Sequence, residues 1–469
     1  MDDAVVPLLD ETGQWTHRDR HQHHHFPIDV PERTVELRIR FRWTPHDMGS
    51  EHMANSASLY LFGPDGFRGA MHRADDDRWT VIGEAAATPG CLAGPIAAGP
   101  WDLNVDTGLI LNDGAEAGQL VWHLEASARL GEPAAGSAPT ASPAIAPPRP
   151  AGARWYRGDL HSHTVHSDGR FTVDERLRGA VERALDFIAI TDHNTISHHR
   201  ELDAWRDRIV PIRGCEVTTF HGHLNVYGLS GAIDWRADRR GGGATGIVEQ
   251  AHRQGALVSI NHPSSFGDPW CVGCHRDFVQ VDYSTFDAME VWNGGWADVE
   301  TDNEGNIALW TDLLDAGLRL TGIAGTDSHG PADDDDATLG FSYVYATEWS
   351  EAAILDGIRR GRVFLSRGPT LSFRAAGSDG AEVRLPGAEV PADGAIRLSV
   401  DVDGLDRPAT LWFATSGSKV PLATCEPGAT RVVDERPLVA TGWWRLELRA
   451  GAAANGDILA LTNPVYVSS

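Results

Sequence analysis

A chain of 469 residues is too long for one ordinary domain and predicts two or three. Hydrophobic residues make up 42% and charged residues 23%, the balance of a globular protein, and no apolar run approaches the ~20 residues that span a bilayer. The formal net charge of -26 repels polyanions, which argues against a nucleic-acid-coating role but not against a small anionic substrate, because bound divalent cations reverse the local field.

The N-terminal segment carries Asp2, Asp3, Asp10 and Glu11 without a long apolar stretch, so a signal peptide is not expected and a cytoplasmic location is. Residues 1–130 read as a small antiparallel β domain. Thr34–Arg42 alternates with period two, and 58–63 and 120–125 read as further strands. The histidines 21, 23, 24 and 25 invite a metal reading, although a solvated or packing strand explains them more simply. Residues 131–153, rich in Ala, Pro, Ser and Gly, have almost nothing to bury and form a semi-extended linker.

Between 154 and 370 short apolar runs alternate with helical patterns, which predicts a parallel α/β sheet closed into a barrel. The runs are 155–160, 187–190, 209–212, 257–260, 288–291 and 320–324. Helical stretches are expected at 172–185, 196–208, 245–254 and 307–316, the first opened by a Thr172 cap with Glu175 three residues on. After 371 the chain alternates like strands again, and residues 371–469 fit a C-terminal β-sandwich. The five cysteines are scattered and suggest no disulfide framework. Cys271 and Cys274 form a lone CxxC, read as a loop thiol pair rather than a structural zinc site.

The chemistry lies at the ends of the central strands. His161 and His163 follow the first, with Asp168 close behind and Gly169 letting the chain turn. Thr191-Asp192-His193-Asn194 follows the second, Gly214-Cys215-Glu216 the third, and His221-Gly222-His223 leads a further apolar stretch. Asn261-His262-Pro263, Trp292-Asn293 and Asp327-Ser328-His329 follow the remainder. In a parallel barrel these positions meet at the carboxyl-terminal mouth. Imidazoles and carboxylates there are what zinc, manganese or iron prefer as ligands, so the joint pattern predicts a metal site.

This ordered series resembles the polymerase and histidinol phosphatase (PHP) superfamily over about 154–370, and Gly-Cys-Glu-Val-Thr-Thr, Gly-His-Leu-Asn-Val-Tyr-Gly and Asn-His-Pro are most similar to its carbaryl-hydrolase-like branch. The resemblance implies a distorted seven-stranded βα (TIM-like) barrel, here flanked by N- and C-terminal β domains, and up to three divalent metals. By motif the first metal would take His161, His163, Glu216 and Asp327. The second would share Glu216 and use His223 and His262; the third would use Asp168, His193 and His329. Glu216 as a bridge would hold two cations ~3.5–4 Å apart, the spacing for in-line attack by a metal-bound hydroxide.

Asp192 reads as the partner of a ligand imidazole. His221 has three readings: it replaces His223, serves as general acid to the leaving group, or caps a strand. Arg367 either reaches an anionic substrate or forms an inter-domain ion pair. His166, His198 and His199 lie near the mouth, Trp270, Trp292 and Trp296 could line an acyl pocket, and Asp333–Asp336 reads as a solvated rim loop.

The expected function is hydrolysis of a small-molecule ester with two or three divalent cations (Zn, Mn or Fe), a phosphoester first and a carbamate or carboxylic ester second. No nucleic-acid or membrane partner is expected. No Gly-x-Ser-x-Gly elbow supports a serine hydrolase. The non-enzyme alternative, a binding protein with an inert barrel, requires a degraded ligand set, and every expected position is filled. Limited proteolysis should cut first within 131–153, where no core protects the backbone; a first cut in a central helix would contradict this organisation.

Overall fold

The computed structural model describes residues 4–50, 53–73, 79–111, 119–132, 152–238, 243–278, 281–298, 300–377, 380, 382–392, 394–438 and 442–468. Residues 133–151 of the expected linker lie outside the described residues.

The N-terminal region folds as two four-stranded antiparallel sheets. One joins Val5–Thr16, Gln119–Leu130, Thr34–Thr44 and Thr80–Gly83; the other joins Gln22–Val30, Gly99–Leu109, Ser56–Gly63 and Gly66–Met71. The period-two pattern explains how they face each other. Leu37, Ile39, Phe41 and Trp43 point into a shared core with Leu59, Leu61, Leu103 and Val105, while Arg38, Arg40 and Arg42 point away.

The central sheet uses the predicted apolar runs. Its strands are β1 (Arg154–Asp159), β2 (Phe187–Ile190), β3 (Val210–Thr219), β4 (Gly222–Tyr227), β5 (Leu257–Ile260), β6 (Ala288–Asn293), β7 (Thr321–Gly325), β8 (Phe341–Ala346) and β9 (Val363–Ser366). Their order is β7-β6-β5-β4-β3-β2-β1-β8-β9. Packed on the sheet are α1 (Val173–Glu182), α2 (Thr245–Arg253), α3 (Asn303–Asp315) and α4 (Glu351–Arg359). The Thr172–Glu175 capping box forms at the start of α1 as its sequence predicts.

Three expectations need correction. The sheet is not all-parallel: β4 runs antiparallel to β3 and β5, and β8 runs antiparallel to β1. Only Phe220 and His221 separate β3 from β4, too short a link for a parallel crossover. Nor do the strands close into a hydrogen-bonded barrel. β8 takes the edge of β1 along 154–158 and meets β7 through Ser342 Oγ, which accepts from Ala324 N and donates to Ala324 O, both at 2.9 Å. β1 and β7 join only past their ends, where Asp327 N donates to the His161 carbonyl at 2.9 Å and His163 N to the Ser328 carbonyl at 3.0 Å. The helix expected over 196–208 reduces to short turns at His199–Leu202 and Asp203–Trp205. There His198 and His199 turn their Nε2 atoms onto the carbonyls of Ile190 and Gly214, tying the segment to strand ends.

The C-terminal region is a sandwich that continues the central sheet. Strand β9 pairs with Ile458–Thr462, which leads to Gly442–Ala450, Ala409–Thr415 and Ser418–Cys425. A second sheet of Glu382–Val383, Thr370–Ala376, Gly394–Leu405 and Gly428–Leu438 covers it. A buried ionic network seats this region on α3. Glu447 accepts from Arg445 Nε at 3.0 Å, Arg449 Nε at 2.8 Å and Lys419 Nζ at 2.8 Å, and Arg449 reaches Glu304 of α3. Arg445 lies over Trp310 and Trp443.

Burial alone would raise the Glu447 carboxyl, but Arg445, Arg449 and Lys419 hold it at about 2. Its contribution is therefore complete above the ordinary carboxylate range and fades as pH falls toward 2. Glu447→Gln should destabilise the protein by ~3–5 kcal/mol in denaturant unfolding, because buried Arg445 loses its carboxylate partner and Arg449 one of its two. It should also flatten the acid limb of the stability curve; an unchanged midpoint and acid limb would contradict the network's role.

Candidate metal centre

The fold brings the ligand-type side chains to one end of the sheet. His161 and His163 follow β1, His193 follows β2, His262 follows β5, and Asp327 and His329 follow β7. Glu216 lies within β3. His223 opens β4, and because β4 is antiparallel its first residues sit beside the last residues of β3. Two of the candidate ligands occupy left-handed backbone, His262 at φ 25° and Asp327 at φ 50°. Such conformations each cost about 1–3 kcal/mol and persist only where the surroundings enforce them.

Glu216 is the hub. Its Oε2 lies 3.2 Å from His161 Nε2, 3.4 Å from His163 Nε2 and 3.0 Å from His193 Nδ1. Its Oε1 lies 3.2 Å from His223 Nδ1 and 3.4 Å from His262 Nε2. Asp327 Oδ1 completes the first group, 3.2 Å from His161 Nε2 and 2.9 Å from His163 Nε2. Asp168 Oδ1 anchors another group, 3.6 Å from His193 Nε2 and 3.4 Å from His329 Nε2. All nine side chains expected as ligands are thus brought together, with His193 and His163 each bordering two groups.

The donor atoms fit divalent cations. His161 Nε2, Glu216 Oε2 and both Asp168 oxygens are buried and have no hydrogen-bond partner among the described residues. Leaving such groups unmatched is expensive, and a cation is the partner that suits all of them. The electrostatics agree. Burial would raise the Glu216 and Asp168 carboxyls, yet the surrounding imidazoles hold both well below the carboxylate range. Burial would lower His161 and His329, but Asp327 and Glu216 raise the first, and Asp168 brings the second to about 9. The carboxylates thus favour added positive charge at this spot.

Several supporting groups escaped the sequence reading. Glu290, inside apolar β6, accepts from His161 Nδ1 at 3.1 Å and from the His262 backbone N–H at 3.1 Å. That contact directs His161 Nε2 at Glu216 and Asp327. A lone glutamate in a buried strand was the available signal. Asn261 donates to Glu216 Oε1 at 2.8 Å, and Asn293 to Asp327 Oδ2 at 3.2 Å. Beneath them Asp159 accepts from the His161 and Thr326 backbone N–H groups, and Arg176 of α1 bridges Asp159, Thr326, Ser328 and Asp334. Gly325 is required because a Cβ there would collide with His161 and Glu290.

The remaining sequence candidates fall elsewhere. Among the described residues Asp192 faces none of the candidate ligand imidazoles: it accepts from Thr164 and Ser167 and faces His198 Nδ1 at 3.1 Å, fixing the loop between His163 and Asp168. His221 lies at the β3–β4 turn on a cavity wall, while His223 faces Glu216. Arg367 faces Asp457 at 3.8 Å, the inter-domain option. His166 bonds Ser197 and Glu201. Trp270 lines a cavity, whereas Trp292 and Trp296 pack together in the core. Asp333–Asp336 is not merely solvated: Asp334 pairs with Arg176 and Arg183, and Asp333 accepts from the His329 N–H, because α1 passes beneath the loop. His23 and His25 pair with Asp106 and Asp102 and His24 stacks on Trp15, while His21 pairs with Asp268 at 3.0 Å and stacks on Phe220, so this run packs both within its own domain and against the β3–β4 turn.

The N-terminal domain adds two residues that the sequence did not flag. His72, just past Gly66–Met71, stacks on His193 with ring centroids 4.1 Å apart, and its Nε2 lies 3.7 Å from Asp168 Oδ2. Burial lowers it to about 3, so it is neutral. Arg73 Nη1 lies 3.8 Å from Asp168 Oδ2. Three cavities open on the cluster and Arg73 lines all of them. One, about 420 Å³, is walled by Tyr60, Phe220, His221, His223 and Trp235. The second, about 550 Å³, is bordered by Asp168, Arg170 and His329, and the third, about 530 Å³, by His262, Trp270 and Asp327.

Comparison with known proteins adds a domain match and structural likenesses. No curated protein matches the chain. Among solved structures it is similar to a two-domain protein of Bacteroides vulgatus ATCC 8482 described as containing a predicted PHP-like metal-dependent phosphoesterase, with 19% identity, a TM-score of 0.39, and coverage of 70% of this chain and 100% of that one. It is also similar to an amidohydrolase of Chromobacterium violaceum with bound sulfate and no metal, with 16% identity, a TM-score of 0.26, and coverage of 38% and 89%. Among the described residues no helix is long and apolar enough to cross a membrane. Residues 159–309 match the PHP domain, a stretch that carries seven of the nine candidate ligands and stops short of Asp327 and His329.

Proposed function

We propose that this chain is a metal-dependent hydrolase acting on a phosphoester of a small molecule, with two or three divalent cations of the zinc, manganese or iron type. The observation that carries this reading is the joining of a multi-cation donor set to a guanidinium, Arg73, beside Asp168. His161, His163, Glu216 and Asp327 would hold one cation, Glu216, His223 and His262 a second, and Asp168, His193 and His329 a third. Bound there, the cations would supply an acidified water and charge for developing oxyanions.

The chain's own groups do the rest. Arg73 offers a fork for non-bridging phosphoryl oxygens at the mouth of the polar cavity. Neutral His72 covers His193 and excludes water from that side without adding charge. Glu290 keeps the Nδ1 proton of His161 in place, so that its other nitrogen remains a donor to a cation. His221, on the wall of the aromatic cavity, is placed to meet a leaving group there.

A second reading, cleavage of a carbamate or carboxylic ester, is favoured by one feature. The cavity against His223 is lined by Tyr60, Phe220, Trp235 and Val272 and suits an uncharged apolar group. The motif resemblance to the carbaryl-hydrolase-like branch supports the same option. An ester carbonyl develops a single oxyanion, for which a cation pair suffices.

A parallel assay of p-nitrophenyl phosphate, its bis-ester, a p-nitrophenyl carboxylate and an aryl N-methylcarbamate on metal-replete protein separates the readings. Phosphoester turnover should dominate and fall by roughly 10²-fold in Asp168→Ala. Carbamate turnover far above both phosphates and unaffected by that change would overturn the phosphoester reading. Arg73→Ala should raise KM for the favoured phosphoester about 10-fold with metal content unchanged, the loss of one charge-assisted hydrogen bond. An unaltered KM would remove Arg73 from substrate binding.

A further inference from the structure

The CxxC loop between β5 and β6 lies against the Glu216–His223–His262 group. His223, His262 and Cys274 each offer a donor atom, all within 4.8 Å of one another. The two imidazoles face the same carboxylate oxygen, Glu216 Oε1, at 3.2 and 3.4 Å. His262 Nδ1 is buried without a hydrogen-bond partner among the described residues. The loop also sets the orientation of one imidazole. His223 Nε2–H donates to the Val272 carbonyl at 3.0 Å, inside the CxxC, which turns Nδ1 toward Glu216. Gly273, at φ 72°, lets the loop press on the Thr219 carbonyl at the end of β3, where any Cβ would collide. Cys274 itself is bonded to Cys271.

We propose that Cys274 is a fourth ligand of the Glu216–His223–His262 position when its thiol is free, and that pairing with Cys271 withdraws it. The inference rests on the metal-centre reading above. Glutamate, two imidazoles and a thiolate form a closed tetrahedral donor set for a cation such as zinc. Glutamate and two imidazoles alone leave one position open, the pattern of catalytic rather than structural sites. The disulfide state is therefore the open one, and the reduced state shields the position that a substrate oxygen would otherwise take.

The chemistry balances. Cys271 and Cys274 lose two protons and two electrons to a two-electron acceptor, such as an azo-class thiol oxidant, whose N=N bond becomes HN–NH. A dithiol returns both electrons and protons, forming its own disulfide. On cation binding the free Cys274 thiol releases its proton to solvent. Both cysteines are half-buried on the wall of the third cavity, within reach of such small reagents.

Cobalt(II) reads the ligand directly. The full chain is stripped of metal, and one portion is reduced while the other is oxidised with diamide. Both are freed of reagent and loaded with cobalt. The reduced protein should show the near-ultraviolet thiolate-to-cobalt charge-transfer band, and the oxidised protein should lose it. Cys274→Ser should lack the band in both states, whereas Cys271→Ser, deprived of the disulfide partner, should keep it in both. Cobalt bound by the reduced protein without a thiolate band overturns the ligand assignment and leaves the metal centre standing. Failure to bind any cobalt overturns the metal-centre reading and this inference with it.

Discussion

The geometry of the candidate centre depends on one buried carboxylate. Glu216 lies within 3.5 Å of five imidazoles drawn from four different strand ends. A carboxylate in that position is sustainable only where positive charge surrounds it. The sheet is arranged to supply it: parallel strands deliver His161, His163, His193 and His262 at their carboxyl ends, and the reversed β4 delivers His223 at its start. A uniformly parallel sheet would send the first residue of that strand to the opposite end. The hairpin that departs from the expected barrel is thus what completes the donor set.

The flanking domains are part of this arrangement rather than appendages. The N-terminal sandwich places His72 over His193 and Arg73 beside Asp168, and it walls the aromatic cavity with Tyr60. The C-terminal sandwich extends the central sheet through β9 and anchors α3 through Arg449 and Glu304. Since α3 carries Asn303, which holds the backbone of Asn293 and thereby the partner of Asp327, support runs from that sandwich to the cluster.

Much of this was legible in the sequence because it is periodic or local. Apolar runs located β2, β5, β6 and β7, and polar residues after β1, β2, β5 and β7, with Glu216 and His223 beside the β3–β4 turn, are the nine candidate ligands that the motif resemblance assigned. What was not legible is long-range. Strand direction at β4 turned on a two-residue link whose meaning appears only with its neighbours. That β1 and β7 bond only past their ends depends on β8 taking the earlier part of the β1 edge. Arg176 reads as one polar position of an amphipathic helix, yet it lies buried under two strand ends. His72 and Arg73 sit some ninety residues before the first ligand motif in an all-β stretch, and nothing in their neighbourhood signals a site.

We propose that Glu216 joins cations rather than simply neutralising histidines. Elemental analysis of the full-length protein, purified without added metal and compared with Glu216→Gln, tests it most directly. The claim predicts two or three divalent cations per chain in the unaltered protein and a loss of the cations that share Glu216 in the variant, since a neutral amide is a poor bridge. Equal metal content in the two proteins, or none in either at comparable folding, would contradict it.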